Sequence, residues 1–330
     1  MRTALLTTIL AGLTGCFEEY VDAEVCLVAP ADGACPGADE VSTSDLFSFD
    51  WCEVEVQEIT GEAELAGNPW GDTGSDEAYC CYPATARDAD PGCAVGRPYL
   101  EDDAPVTAAT VAGSGWGGAA SGAPGAPVLV EAWLRIAAME HASVAAFARL
   151  TLDLLALGAP HDLIAAVQAA AVDEVEHARL AYQIASRLAD QPLQPGPLPF
   201  AAPITPSTDP VAVAVAAVRE GCLGETVGAW LVAHAADHVA DPDIAAVLHR
   251  IADDEARHAA LSWRLVAWLM KTGGPAVRPA VIAALQQPLT VAAYPGSPAH
   301  GILTAEQTTA LCQRVRGEVL VPAIEALLAA

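Results

Sequence analysis

Two short segments, "DEVEHA" at Asp173–Ala178 and "DDEARHA" at Asp253–Ala259, place the same Asp-Glu-x-x-His pattern twice in a chain with 8 histidines. On a helix, residues three apart project from one face. Glu174 with His177, and Glu255 with His258, therefore each aim a carboxylate oxygen and an imidazole nitrogen at a single point. A lone pair of this kind on an alanine-rich helix is ordinarily a solvated charge pair. Two pairs facing one another across a helical core are a different matter, because they can hold two metal ions if each ion gains a further carboxylate. Oxygen-rich donors with imidazole suit Fe, Mn or a mixed pair.

The elements needed to position these groups are visible in the apolar spacing. From Val128 the chain reads as a helix that stops at Gly158, with Pro160 just beyond. A second helix follows over about thirty residues and ends at the proline-rich "QPLQPGPLPFAAPITPSTDP". A third is expected from about Val211 to Val239, and a fourth from near residue 242 to Met270. Short loops within each pair and one long crossover between the pairs predict a four-helix bundle. The halves also repeat. "APHDLIAAVQAAAVDEVEHARLAY" and "ADPDIAAVLHRIADDEARHAALSW" share the loop, helix start, acidic cluster and histidine, with Tyr182 and Trp263 each five residues after it.

The further carboxylates should come from the partner helices. The first helix offers Glu140, and the third offers Glu220 or Glu225. In an antiparallel hairpin, residues at one level lie equally far from the turn. Glu140 is 17 residues before Leu157 and Glu174 is 14 after Pro160; Glu225 is 15 before Ala240 and Glu255 is 13 after Pro242. Glu220 is out of level by seven residues, about 10 Å at the helical rise. Glu225 is the expected ligand, and Glu220 an outer or exposed residue.

The resulting set, Glu140, Glu174-x-x-His177, Glu225 and Glu255-x-x-His258, resembles the ferritin-like superfamily of di-iron carboxylate proteins over about residues 128–272. The resemblance implies two Fe, or alternatively Mn or a mixed pair, bound by those six side chains. It also implies that Asp173 receives a hydrogen bond from His258, and Asp254 one from His177, fixing each ring's tautomer. Four carboxylates would neutralise two divalent cations, which a buried site requires. The reaction class implied is activation of O2 or H2O2, with an electron donor and a substrate that the sequence does not name. A metal-handling or peroxide-scavenging protein without organic substrate, and a non-enzymatic cell-envelope scaffold, are the competing readings. His141 and His234 read as bystanders, Tyr182 and Trp263 as core packing, and Cys222 as a buried thiol.

The rest of the chain bounds location and partners. Of the 330 residues 53% are hydrophobic, and the formal charge of −27 excludes nucleic acid as a natural partner. Residues 1–15 read as an export signal: Arg2, the apolar "ALLTTILAGL", then Leu13-Thr14-Gly15-Cys16, which resembles the bacterial lipobox. Cys16 would then be acylated, anchoring the protein to a membrane of the cell envelope, and Phe17 after it points to the outer membrane. Residues 16–100 are expected to form a small loop and β domain stapled by disulfides among Cys26, Cys35, Cys52, Cys80, Cys81 and Cys93, with fifteen possible connectivities. The small-residue stretch 101–127 reads as a flexible linker, and 273–330 as an extension carrying one more helix. The fold class expected is thus mainly α, with a ferritin-like bundle behind a disulfide-rich domain.

Overall fold

The computed structural model describes residues 20–28, 34–38, 40–41, 47–48, 55–66, 79–87, 97–101, 104–116, 125–285 and 296–329. The protein is mainly helical with a small strand-containing N-terminal region, and two compact units divide the chain close to residue 93. The expected leader at 1–15, Cys16, Cys52, Cys93 and the side chain of Cys26 lie outside the described residues.

The N-terminal unit is an antiparallel sheet of β1 (Tyr20–Val28), β2 (Phe47–Ser48), β3 (Glu55–Ile59), β4 (Glu64–Ala66) and β5 (Tyr79–Arg87). The order is β2-β1-β5-β3, with β4 also pairing β5, so β5 is the strand around which the others assemble. Its alternate residues Cys80, Tyr82 and Ala84 are buried, and Cys35, Val41, Ile59 and Ala63 pack on them. The Tyr82 hydroxyl donates to the Pro36 carbonyl at 2.8 Å. A core this small needs covalent support. A Cys35–Cys80 disulfide ties the segment around Pro36 to β5, and Cys81 is disulfide-bonded as well.

The helical unit is built from α1 (Pro127–Ala156), α2 (His161–Ala189), α3 (Pro210–Ala216), a π-helical segment Ala217–Glu225, α4 (Thr226–His238) and α5 (Pro242–Thr272). The α1 and α2 helices pack along one another, α4 and the π segment pack on α5, and α2 meets α5. Local chemistry sets the ends. Pro127, Pro210 and Pro242 occupy first-turn positions where no amide hydrogen is missed. The Asp241 carboxylate accepts from the amides of Asp243 at 2.9 Å and Ile244 at 3.4 Å, capping α5. Gly158, at φ +69°, lets the chain turn after α1. Fully buried alanines, including Ala137 and Ala142 on α1 and Ala178, Ala181 and Ala185 on α2, let helices approach closely. Trp133, Phe147, Leu154, Tyr182 and Leu265 fill the remaining interior.

Two short antiparallel pairings lie outside the helices. β6 (Leu100–Glu101) pairs β7 (Ala104–Pro105). β8 (Thr110–Ala112), inside the stretch read from composition as a linker, pairs antiparallel with β9 (Leu193–Pro195) in the long connection between α2 and α3. Ser186 on α2 secures that connection, its hydroxyl accepting from the Leu193 amide at 2.9 Å. After α5 come α6 (Val277–Leu285), α7 (Ala305–Val315), a second π segment Arg316–Leu320 and α8 (Val321–Ala329). A capping box between Thr304 and Gln307 starts α7. Among the described residues, no helix is long and apolar enough to cross a membrane.

Candidate metal centre

Four helical segments each contribute to one buried cluster of carboxylates and imidazoles. Helix α1 supplies Glu140, α2 supplies Glu174 and His177, the end of the π segment supplies Glu225, and α5 supplies Glu255 and His258. The ligating atoms of Glu140, Glu174, His177 and Glu255 lie within 4.8 Å of one another, as do those of Glu225, Glu255 and His258. His177 Nδ1 is 3.5 Å from Glu140, 3.8 Å from Glu174 and 3.3 Å from Glu255. His258 Nδ1 is 3.1 Å from Glu174 and 3.8 Å from Glu255. Glu174 and Glu255 thus each stand near both rings.

The rings are oriented from behind. His177 Nε2 lies 3.1 Å from Asp254 Oδ2, and His258 Nε2 lies 3.3 Å from Asp173 Oδ2. Burial works against charge on Asp254, but His177 and Arg257 outweigh it and hold its pKa below the usual range. An ionised carboxylate only accepts, so Nε2 must donate. That leaves Nδ1 as the nitrogen facing the cluster. Arg257 bonds both Asp173 and Asp254, linking the two supports on the outer side.

Inside the cluster, polar atoms go without hydrogen bonds. Glu174 Oε2, His177 Nδ1, both carboxylate oxygens of Glu225, Glu255 Oε2 and His258 Nδ1 are all buried and lack hydrogen-bond partners within the protein. Most buried polar groups in native proteins find a partner, and the exceptions call for an explanation. Six converging on one point are what cation ligands look like before the cation is considered. The residues present therefore fit a metal, and a Glu/His cluster of this composition could hold one. The electrostatics agree. Burial, then Glu174, pushes Glu255 up to about 7; burial, then Glu255, raises Glu225 well above the carboxylate range; burial raises Glu174 too. For His177 burial opposes charge, yet Glu140, Glu174 and Glu255 prevail and raise its pKa far above that of free imidazole. Without cations, the cluster must retain protons.

The remaining expected residues fall elsewhere. Glu220 is not in the cluster; its carboxylate is 3.7 Å from Arg149. His141 lies against Trp116, ring centroids 5.1 Å apart, and His234 stacks on His238 at 4.1 Å. Tyr182 is fully buried, and the Trp263 indole donates to Thr226 at 3.2 Å. Cys222 is a free, fully buried thiol one turn before Glu225, its pKa pushed up by burial.

Arg97 has no counterpart in the sequence reading. It sits 2% exposed, with Nε 3.8 Å from Glu225 Oε1, its guanidinium over the Phe147 ring at 5.3 Å and its Nη2 3.4 Å from the Ser262 hydroxyl. The backbone that carries it is fixed by the Tyr99 amide, which donates to the Ala142 carbonyl of α1 at 3.2 Å. Gly221 makes the space, because a Cβ there would collide with Arg97 and Ser262. A cavity of about 30 Å³ borders the cluster, lined in part by Arg97, Met139, Glu140, Ser143, Val232 and Glu255. No protein-family model, curated protein or solved structure matches the chain.

Proposed function

We propose that the helical unit is a ferritin-like four-helix bundle whose cluster binds two metal ions, by donor chemistry iron or manganese, and uses them to reduce O2 or H2O2. The observation that carries this reading is the convergence of unpartnered Glu and His atoms from four helical segments, with each Nε2 held by an aspartate on the opposite hairpin. Glu140 and Glu225 would each serve as the terminal carboxylate of one ion. Glu174 and Glu255, near both rings, would serve the pair, and His177 and His258 would supply one nitrogen each through Nδ1. Two ferrous ions bound there would supply two electrons and Lewis acidity to an oxygen-containing ligand. The chain's own contribution is to neutralise four positive charges with four carboxylates, keep the rings in one tautomer and exclude bulk water with Phe147 and the surrounding alanines.

The cavity beside the cluster, lined in part by Arg97, Met139, Glu140 and Glu255, gives a small oxygen-containing ligand a place to reach the site. Peroxide scavenging or metal handling without an organic substrate is the alternative reading. The leader and the lipobox-like Leu13–Cys16 support export and anchoring through acylated Cys16. The −27 charge leaves a lipid surface reached through that acyl chain, and not nucleic acid, as the partner.

The decisive experiment is metal content. The full chain, purified without chelators, should carry about two Fe or Mn per protein, and a Glu174→Ala/Glu255→Ala double variant almost none. Loaded protein should then consume oxygen or peroxide. A folded parent that is metal-free and takes up no ferrous iron would sink the reading, leaving the helical unit as a scaffold.

A further inference from the structure

We infer that Arg97 makes the two metal positions unequal, weakening the one at Glu225, Glu255 and His258 relative to the one at Glu140, Glu174, His177 and Glu255. The inference rests on the proposal that the cluster binds two ions. Each position has a terminal carboxylate, a Glu-x-x-His pair and an opposing aspartate, and the first also gathers Glu255 as a fourth donor. Among the described residues, only one of them has a guanidinium within ion-pair distance of a ligand carboxylate. Arg97 Nε lies 3.8 Å from Glu225 Oε1, whereas no arginine or lysine approaches Glu140 within ion-pair distance among the described residues. Glu225 is also the more enclosed of the two, its side chain 1% exposed against 17% for Glu140. A charge pair near Glu225 is therefore poorly screened.

The arginine is held by several contacts at once. The Ser262 hydroxyl, the Phe147 ring and the Gly221 gap locate its guanidinium, and Phe147 in turn packs edge-on against His258 at 5.2 Å between centroids. These contacts leave Arg97 2% exposed. Its Nε has no hydrogen-bond partner, so the guanidinium is not neutralised by a full pairing with Glu225. A guanidinium fixed 3.8 Å from Glu225 Oε1 repels a cation held by that carboxylate, and no arginine or lysine stands comparably close to Glu140 among the described residues. Arg97 is a positioning residue in this account and touches no reacting atom.

The test is a Mn²⁺ titration of chelator-treated full chain, with free Mn²⁺ followed by electron paramagnetic resonance. The parent should bind in two steps whose dissociation constants differ about tenfold or more. Arg97→Gln should strengthen the weaker step by a similar factor and leave the tighter one unchanged, while Arg97→Lys, which keeps the charge, should preserve the gap. Arg97→Met is the alternative charge-free variant should Arg97→Gln lose its helical circular dichroism. Two equal steps in the parent, or an unchanged step ratio in a folded charge-free variant, would overturn the inference. A parent that binds neither Mn²⁺ nor Fe²⁺ would instead overturn the metal centre itself.

Discussion

His177 on α2 and Asp254 on α5 are joined across the two helical hairpins by a 3.1 Å contact between Nε2 and Oδ2. The reciprocal contact, His258 to Asp173, measures 3.3 Å. Each hairpin therefore orients the histidine of the other, and the docking of the hairpins and the aim of the ligands are one event. Asp254→Asn keeps the shape but offers an amide that can turn either a donor or an acceptor toward Nε2. Metal affinity should fall about ten- to a hundredfold, measured by competition with a chelator of known strength. An unchanged affinity would mean that the ring is fixed by packing alone.

Metal should also stabilise the fold. At a concentration one hundred times its dissociation constant, a ligand specific to the folded state adds about 2.7 kcal/mol, which should raise the Tm by several degrees. The Glu174→Ala/Glu255→Ala variant should show no such response. Its metal-free form should melt above the metal-free parent, because two carboxylates whose charge is disfavoured by burial, and secondarily by each other and Glu140, are gone. Differential scanning calorimetry with and without Mn²⁺ distinguishes both effects, and a lower melting point for the metal-free variant would contradict the second.

Alkaline pH should expose the state of Tyr182. Burial pushes its phenol up to about 12, against 10.0 for an exposed one. The folded state thus prefers the neutral form. Its contribution, about 3 kcal/mol, is complete below pH 10 and is lost as pH rises toward 12. The difference in 295 nm absorbance between the parent and Tyr182→Phe, which isolates one of the 6 tyrosines, should show a tyrosinate signal that appears together with loss of helical circular dichroism. Tyr182→Phe should move that unfolding to higher pH.

Acylation of Cys16 is checked in cells. Palmitate should label the expressed full chain, and Cys16→Ser should abolish the label and release the protein from the membrane fraction. Labelling that survives the substitution would remove the anchor from the proposal.

How much of this could be read from the sequence depended on the range of the physics involved. The Glu-x-x-His pairs are local, since the helical period alone puts Glu174 beside His177 and Glu255 beside His258. Glu140 and Glu225 needed one further step, counting outward from two short turns. Arg97 could not be reached that way. It lies in irregular chain far from any of the six ligands in sequence, and only the Tyr99–Ala142 bond and the gap at Gly221 bring it to Glu225. The π-helical segment Ala217–Glu225 was expected as ordinary helix, because apolar spacing over nine residues does not separate the two periods. The pairing of Thr110–Ala112 with Leu193–Pro195 was likewise hidden, since neither triplet alternates long enough to declare a strand.

The arginine beside Glu225 breaks the symmetry that the repeat would otherwise impose on the centre. Two identical hairpins associating as a symmetric dimer would build the same crossed Asp–His contacts, and the repeat in the sequence preserves that pattern. In such a dimer every residue occurs twice, so any arginine set against one terminal glutamate would be set against the other as well. A guanidinium set, among the described residues, against one of the two glutamates needs halves of different sequence, a condition that a single polypeptide meets with Gly221 and an upstream segment at one half alone. The centre thereby has a front and a back.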